Sequence, residues 1–159
     1  MRITDPKPKH LRSILGLLVQ LGRECDPNDP GVKVNGSFPK ATKEYIFHFS
    51  RTLKVAVDRG DVVGVILFTL EDLKTIYVVD LVVKKNRRGQ GIGRRLLEYA
   101  EEIANKLKGR VVLHGMQKAI PFYQKCGYKI TRHHKYGCRM LKKCNVANEN
   151  HRSWHRTRH

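Results

Sequence analysis

The sequence predicts a single domain of the α/β (α+β) class, a β-sheet flanked by amphipathic helices. Three observations carry this expectation. Short β-branched runs alternate with turn residues, two segments carry apolar residues at helical spacing, and 159 residues suit one hydrophobic core. A composition 40% hydrophobic and 29% charged can fill such a core, so wholesale disorder is not expected.

Arg2-Ile3-Thr4 reads as a short first strand. Pro8 then opens an amphipathic helix bearing Leu11, Ile14, Leu15, Leu18 and Leu21, with Gly22 as its expected stop. Residues 26 to 38 are dense in Asp, Asn, Pro and Gly and read as a loop, and a second helix is expected near 39 to 52. Strands Leu53 to Val57 and Val62 to Leu70 flank Asp58-Arg59-Gly60-Asp61, whose Arg-Gly-Asp triplet reads as a tight hairpin turn. After a second turn over residues 71 to 74, Thr75 to Val83 is apolar on both faces and is expected in the middle of the sheet. A helix over about 92 to 107 carries Leu96, Leu97, Ala100, Ile103, Ala104 and Leu107 on one stripe. Arg110 to Leu113, Tyr128 to Thr131 and Tyr136 to Leu141 complete the strands, with a short helix over Gln117 to Cys126 and a left-handed stop at Gly127. The expected domain spans residues 1–143, and residues 144–159 read as a basic, flexible tail.

The formal net charge is +18, and it is unevenly spread: beyond Glu102 the only acidic residue is Glu149, against fourteen Lys and Arg. Such a field favours anionic ligands or partners, so a basic C-terminal third is expected to meet an anion. Neither a signal peptide nor a run of 18 apolar residues is present, and the expected location is cytoplasmic. Cys25, Cys126, Cys138 and Cys144 lack paired spacing and read as reduced thiols. The same lack of spacing argues against a metal site built from His133, His134, Cys138 and Cys144.

The chemistry-bearing segment is Lys84-Lys85-Asn86-Arg87-Arg88-Gly89-Gln90-Gly91-Ile92-Gly93-Arg94-Arg95, between the apolar strand and the long helix. Alternating glycines let the chain turn sharply and leave backbone N–H groups at a helix start to face an anion, a cradle suited to a pyrophosphate. A Walker A loop would need a terminal Gly-Lys-Ser/Thr, and the dinucleotide fingerprint would need glycine where Arg94 stands, so both are excluded.

With Leu81-Val82-Val83 ahead of it, Arg88-Gly89-Gln90-Gly91-Ile92-Gly93 resembles the cofactor motif of the GNAT N-acetyltransferases, Arg/Gln-x-x-Gly-x-Gly/Ala. Ala119, Phe122, Tyr123, Gly127 and Tyr128 resemble a second signature of that family. The resemblance covers about residues 53 to 143. It implies a mixed, mostly antiparallel sheet of six to seven strands with a splayed central pair, flanked by about four helices. It further implies acetyl-CoA as donor, with the backbone of Leu81, Val82 and Val83 on the pantetheine arm. Arg88, Gly89, Gln90, Gly91, Ile92, Gly93 and Arg94 would hold the pyrophosphate, with no metal.

Aminolysis of a thioester needs a neutral amine and a proton source for the leaving thiolate. Tyr123, whose phenol titrates near enough to a thiol, is the expected general acid. Asp80 is the only polar residue from Ile76 to Val83 except Tyr77's phenol, and a carboxylate in such a run must be paired or raised in pKa. His114, nine residues before Tyr123, titrates in the useful range. Either is a candidate base or amine-orienting group.

The expected function is therefore acetyl transfer from acetyl-CoA to a primary amine by direct attack in a ternary complex, with an anionic small molecule or a protein amine favoured as acceptor. Val79-Asp80-Leu81-Val82-Val83 is similar to glucosamine-6-phosphate N-acetyltransferases, one alternative. His114 and Val79 depart from that subfamily, which has Asp and Glu there. A reading of another class is a binding module for acyl-CoA, nucleic acid or the ribosome on the same scaffold. A homodimer is a candidate assembly.

Overall fold

A computed structural model of the chain describes residues 1–25 and 51–144. Seven strands form one sheet: β1 (Arg2–Thr4), β2 (Arg51–Asp58), β3 (Asp61–Asp72), β4 (Thr75–Val83), β5 (Arg110–Met116), β6 (Lys129–His134) and β7 (Gly137–Lys143). Their order is β1-β2-β3-β4-β5-β7-β6. Every neighbouring pair is antiparallel except β4 with β5. The apolar run at Thr75–Val83 thus lies centrally, as its two buried faces require.

Three α-helices are described: α1 (Leu11–Cys25), α2 (Ile92–Lys106) and α3 (Ile120–Lys125). A 3₁₀ turn at Pro8–His10 precedes α1, and the Lys7 N–H donates to His10 Nδ1 across it. Gly22 does not stop α1. With no Pro or polar cap after it, the helix continues to Cys25, because one glycine inside a helix costs only about 1 kcal/mol. The helix expected near 39 to 52 lies outside the described residues, save for Arg51 and Thr52. These two pair with Thr69 and Phe68 in β2, since β3 is long enough to offer them ladder partners. Cys144 is buried, and its N–H donates to Gly109 O; the rest of the expected tail lies outside the described residues. None of the described helices is long and apolar enough to cross a membrane.

Two buried clusters sandwich the sheet. On one face Ile14, Leu15 and Leu17 of α1 pack on Leu53, Val55, Val65, Leu67 and Val82. On the other, Leu96, Leu97, Ala100 and Ala104 of α2 pack on Val63, Ile66, Phe68, Ile76 and Val78, together with Tyr123. Each such apolar side chain contributes about 1.5 to 3 kcal/mol on burial. The start of α2 presses hard on β3: a Cβ at Gly64 would stand 3.0 Å from Leu96 Cδ1 and 3.1 Å from Ile92 Cγ2. That close approach fixes where the glycine loop leaves the sheet.

Candidate active site

The site forms where β4 parts from β5. Their parallel ladder runs from Thr75 opposite Arg110 to Val78 opposite Leu113 and ends there. Beyond that point β4 stays on β3 as far as Val83 opposite Gly64, while β5 stays on β7 as far as Met116 opposite Gly137. A register shift sits at the parting point: Val78 pairs with Phe68 and Asp80 with Leu67, leaving Val79 as an extra residue. Bulges bend and twist the strand that carries them. The segment Val79–Val83, with Leu81, Val82 and Val83, therefore lines a gap on its β5 side.

At the end of β4 the chain makes a 3₁₀ turn, Lys85–Arg87, and enters α2 through two residues that require glycine. Gly89 and Gly91 have φ of +77° and +76°. Gly91 is the N-cap and has no side chain to cap with. The first N–H of this helix start to find a backbone acceptor is that of Arg95, on Gly91 O at 3.1 Å. The amides of Ile92, Gly93 and Arg94 precede it and have no partner among the described residues, the arrangement that suits an anion at a helix N-terminus. Gly93 is held close to α3, where a Cβ would meet the Phe122 ring at 3.1 Å.

The cations of this loop are largely tethered. Arg88 donates to both oxygens of Glu24 at 2.9 Å, and its Nε reaches Val83 O at 3.2 Å. Gln20 of α1 donates to the same carbonyl at 3.1 Å. Arg87 pairs with Asp58 at 2.6 Å and donates to Gln90 Oε1 at 3.0 Å, while Arg94 donates to Lys125 O at 3.0 Å. The Arg87 guanidinium and the N-terminal ammonium hold the Asp58 carboxyl below its usual range. Arg88 and Arg87 thus brace the loop against α1 and the β2–β3 hairpin. Sequence reasoning missed the anchors Glu24 and Asp58, because nothing local marks a carboxylate that pairs 64 or 29 residues away.

The three candidate catalytic residues fall on the two sides of the sheet. Tyr123 lies on the α2 face, buried in that cluster and stacked near Phe122 and Tyr128, with ring centroids 5.1 and 6.0 Å away. It reaches toward the gap: a Cβ at Gly115 of β5 would meet its ring at 3.0 Å. Burial drives its phenol well above the usual range, with smaller contributions from Cys126, Cys25 and Asp80. Its hydroxyl has no hydrogen-bond partner among the described residues, whereas Tyr128 donates to Glu101 at 3.0 Å, and Glu101 also pairs with Lys142 at 2.6 Å. Tyr128 is accordingly committed to the interior.

Asp80 pairs with Leu67, and Tyr77 with Thr69, so both stand on the α1 face, since directly opposed residues share a face. Asp80 lies two residues past the end of the ladder with β5, and its charge adds a smaller upward push to the pKa of Tyr123, Cys25 and Tyr77 than burial does. His114 is on β5 one residue past the end of the ladder, and its Nδ1 is 2.9 Å from the Tyr77 hydroxyl. Partial burial lowers its pKa, helped by His134 and Arg139 and opposed by Glu71. Tyr77 as a partner of His114 was not anticipated; its place two residues before Val79 gave no signal. Cys25, at the end of α1, lies with its thiol against the Met116 thioether at the far end of β5. Two small surface cavities, of about 110 and 280 Å³, are lined by neither Asp80 nor Tyr123.

Comparison with known proteins fits this geometry. The chain is 39% identical over 80 residues to the peptidyl-lysine N-acetyltransferase YjaB of Salmonella typhimurium, a match covering 50% of this chain and 51% of that protein. The match therefore spans about half the length of this curated relative. Among solved structures, the PaiA N-acetyltransferase of Thermoplasma acidophilum in complex with coenzyme A superposes with a TM-score of 0.72 at 17% identity, covering 89% of this chain and 98% of that one. The aminoglycoside 6'-N-acetyltransferase of Enterococcus faecium does so with a TM-score of 0.65 at 21% identity, covering 91% and 97%. These two show that the chain shares their fold. The profile of the Acetyltransferase (GNAT) family matches residues 21–128, from the last turn of α1 through the parted strands and the glycine loop to Tyr128, and by that match the chain belongs to this family.

Proposed function

We propose that the protein transfers an acetyl group from acetyl-CoA to a primary amine, by direct attack of the amine on the thioester. The observation that carries this reading is the parting of β4 from β5 beyond Val78 and Leu113, followed along the chain by amides at the start of α2 that have no partner among the described residues. The parted backbone at Leu81, Val82 and Val83 suits the amide-bearing pantetheine arm. The amides from Gly91 to Arg94 suit the pyrophosphate. The PaiA structure of the same fold, solved with coenzyme A, supports the same donor.

In this reading the amine nitrogen bonds to the acetyl carbon, the carbon–sulfur bond breaks, and the Tyr123 O–H donates a hydrogen bond to the departing CoA thiolate, which takes its proton from solvent. The near match of phenol and thiol expected from the sequence is undone by burial. Burial keeps that phenol protonated, and therefore a donor, throughout the working pH range. A thiolate is an intrinsically weaker base than such a phenolate, so hydrogen bonding to the developing charge contributes more than complete transfer. On the α1 face His114 accepts the proton of the attacking amine. The Tyr77 hydroxyl lies 2.9 Å from His114 Nδ1; in the tautomer whose Nδ1–H donates to that oxygen, Nε2 is left as acceptor, and a base oriented by a third group is the usual arrangement for such a step. Asp80 orients the incoming ammonium.

Free-CoA release measured over a panel of amines (amino sugars and their phosphates, polyamines, aminoglycosides, lysine peptides) tests the reading. Turnover on at least one amine, with saturable acetyl-CoA binding by calorimetry, is the expected result. Absence of both would overturn it.

A further inference from the structure

One face of the sheet beside the gap carries arginines for which no ion pair is found among the described residues. His114 on β5 stands directly opposite Arg139 on β7, and Arg139 directly opposite Arg132 on β6. The three share the α1 face and make a row running away from the gap. His134 joins it, with its ring edge-on to His114 at 5.3 Å between centroids. Among the described residues Arg132 and Arg139 have no carboxylate partner; the nearest polar contact of the Arg139 guanidinium is Nη1 to Thr131 Oγ1 at 3.5 Å. Like charges placed directly opposite on adjacent strands destabilise a sheet. Here Arg132 and Arg139 are so placed, with two histidines beside them and Glu71 as the acidic group that acts on His114.

The row is anisotropic in a useful way. One end is the proposed base at the edge of the gap, and the other is the arginine pair. Strands lie about 4.8 Å apart, so the backbones of Arg139 and Arg132 stand about one and two strand spacings from that of His114. Planar guanidiniums suit bidentate capture of carboxylate or phosphate oxygens. We infer that Arg139 and Arg132, flanked by His134, form an oxyanion-binding subsite for the acceptor, which is a small molecule carrying a carboxylate or phosphate in addition to its primary amine. This assignment of acceptor class rests on the reading of the gap as an acetyltransferase site. A bare polyamine would meet repulsion along the same row.

The test uses matched pairs of amines that differ only in the anion: 6-aminohexanoate against hexylamine, and glucosamine 6-phosphate against glucosamine. The expected result is that kcat/KM favours the anionic member by about tenfold or more in at least one pair. In the variant carrying both Arg132→Gln and Arg139→Gln that ratio collapses toward one. A ratio that is at or below one in the native protein, or that survives the double substitution, overturns the inference. Which pair responds separates a carboxylate from a phosphate. Direct titration keeps the inference apart from the chemistry. Glucosamine 6-phosphate should shift the side-chain nitrogen resonances of His114 and His134, glucosamine should not, and the double variant should bind the phosphate about tenfold more weakly. Such shifts in a protein that turns over no amine would leave the subsite standing and remove the acetyl-transfer reading. Equal shifts with both sugars would remove the subsite.

Discussion

The two halves of the site treat charge in opposite ways. Around the glycine loop the arginines are braced: Arg87 on Asp58, Arg88 on Glu24, Arg94 on a carbonyl. Across the gap, Arg132 and Arg139 face each other on the sheet surface without a carboxylate partner among the described residues. Braced cations hold a backbone loop rigid, which in the proposed reading lets main-chain amides bind the donor. Unbraced ones keep their hydrogen-bonding capacity for a ligand. The proposed donor half thus rests on backbone geometry, and the proposed acceptor half on side chains.

Four perturbations would break or sharpen this contrast. The largest effect is expected for Tyr123→Phe, which keeps the packing on Phe122 and Gly115 and removes the donor to sulfur. We expect kcat to fall by about 100-fold or more while acetyl-CoA affinity stays within about twofold; rapid-quench and calorimetric measurements separate the two. Gly91→Val acts on the cradle alone. At φ +76° a β-branched residue costs about 1 to 3 kcal/mol, so acetyl-CoA binding should weaken by about tenfold or more, with acceptor preference unchanged among the turnovers that remain.

The third perturbation is of pH. His114 must be neutral to accept a proton, and burial, His134 and Arg139 hold its pKa below 6.5. The acid limb of kcat/KM should therefore lie below that pH, with activity lost as pH falls through it. Arg139→Gln removes one of the repelling charges, so the limb should move upward; a limb that stays in place would remove His114 as the group observed. The smallest effect is expected for Glu24→Gln. That ion pair is partly exposed on both sides and is worth under about 1 kcal/mol, so acetyl-CoA binding should weaken by no more than about fivefold.

Legibility followed the same divide. The limits of β4 at Thr75 and Val83, the loop and the stripe of α2 were readable, because hydrophobic period and glycine placement are local properties. The left-handed turn at Gly127 was readable for the same reason. The extra residue at Val79 was not, since a bulge is set by the register against β3 and leaves no mark in a run of valines. Nor were the Tyr77–His114 contact, the Glu101 bonds to Tyr128 and Lys142, or the opposition of Arg139 and Arg132. All of these depend on which strands become neighbours, and β7 inserts between β5 and β6 against the order of the chain.

The separation of β4 from β5 has a thermodynamic consequence for any ligand that enters between them. An extended amide chain laid against Val79–Val82 can form sheet-like hydrogen bonds without displacing a strand partner, because the ladder already ends at Val78, whereas at Val83 it meets a carbonyl already bonded to Gln20 and Arg88. The free energy that other folds would spend on melting a strand pair before admitting a ligand was set aside when the chain folded. Folding stability and binding affinity are therefore coupled through one stretch of strand that has no β5 partner, and a mutation that let β5 zip onto β4 would make a firmer protein that binds nothing there.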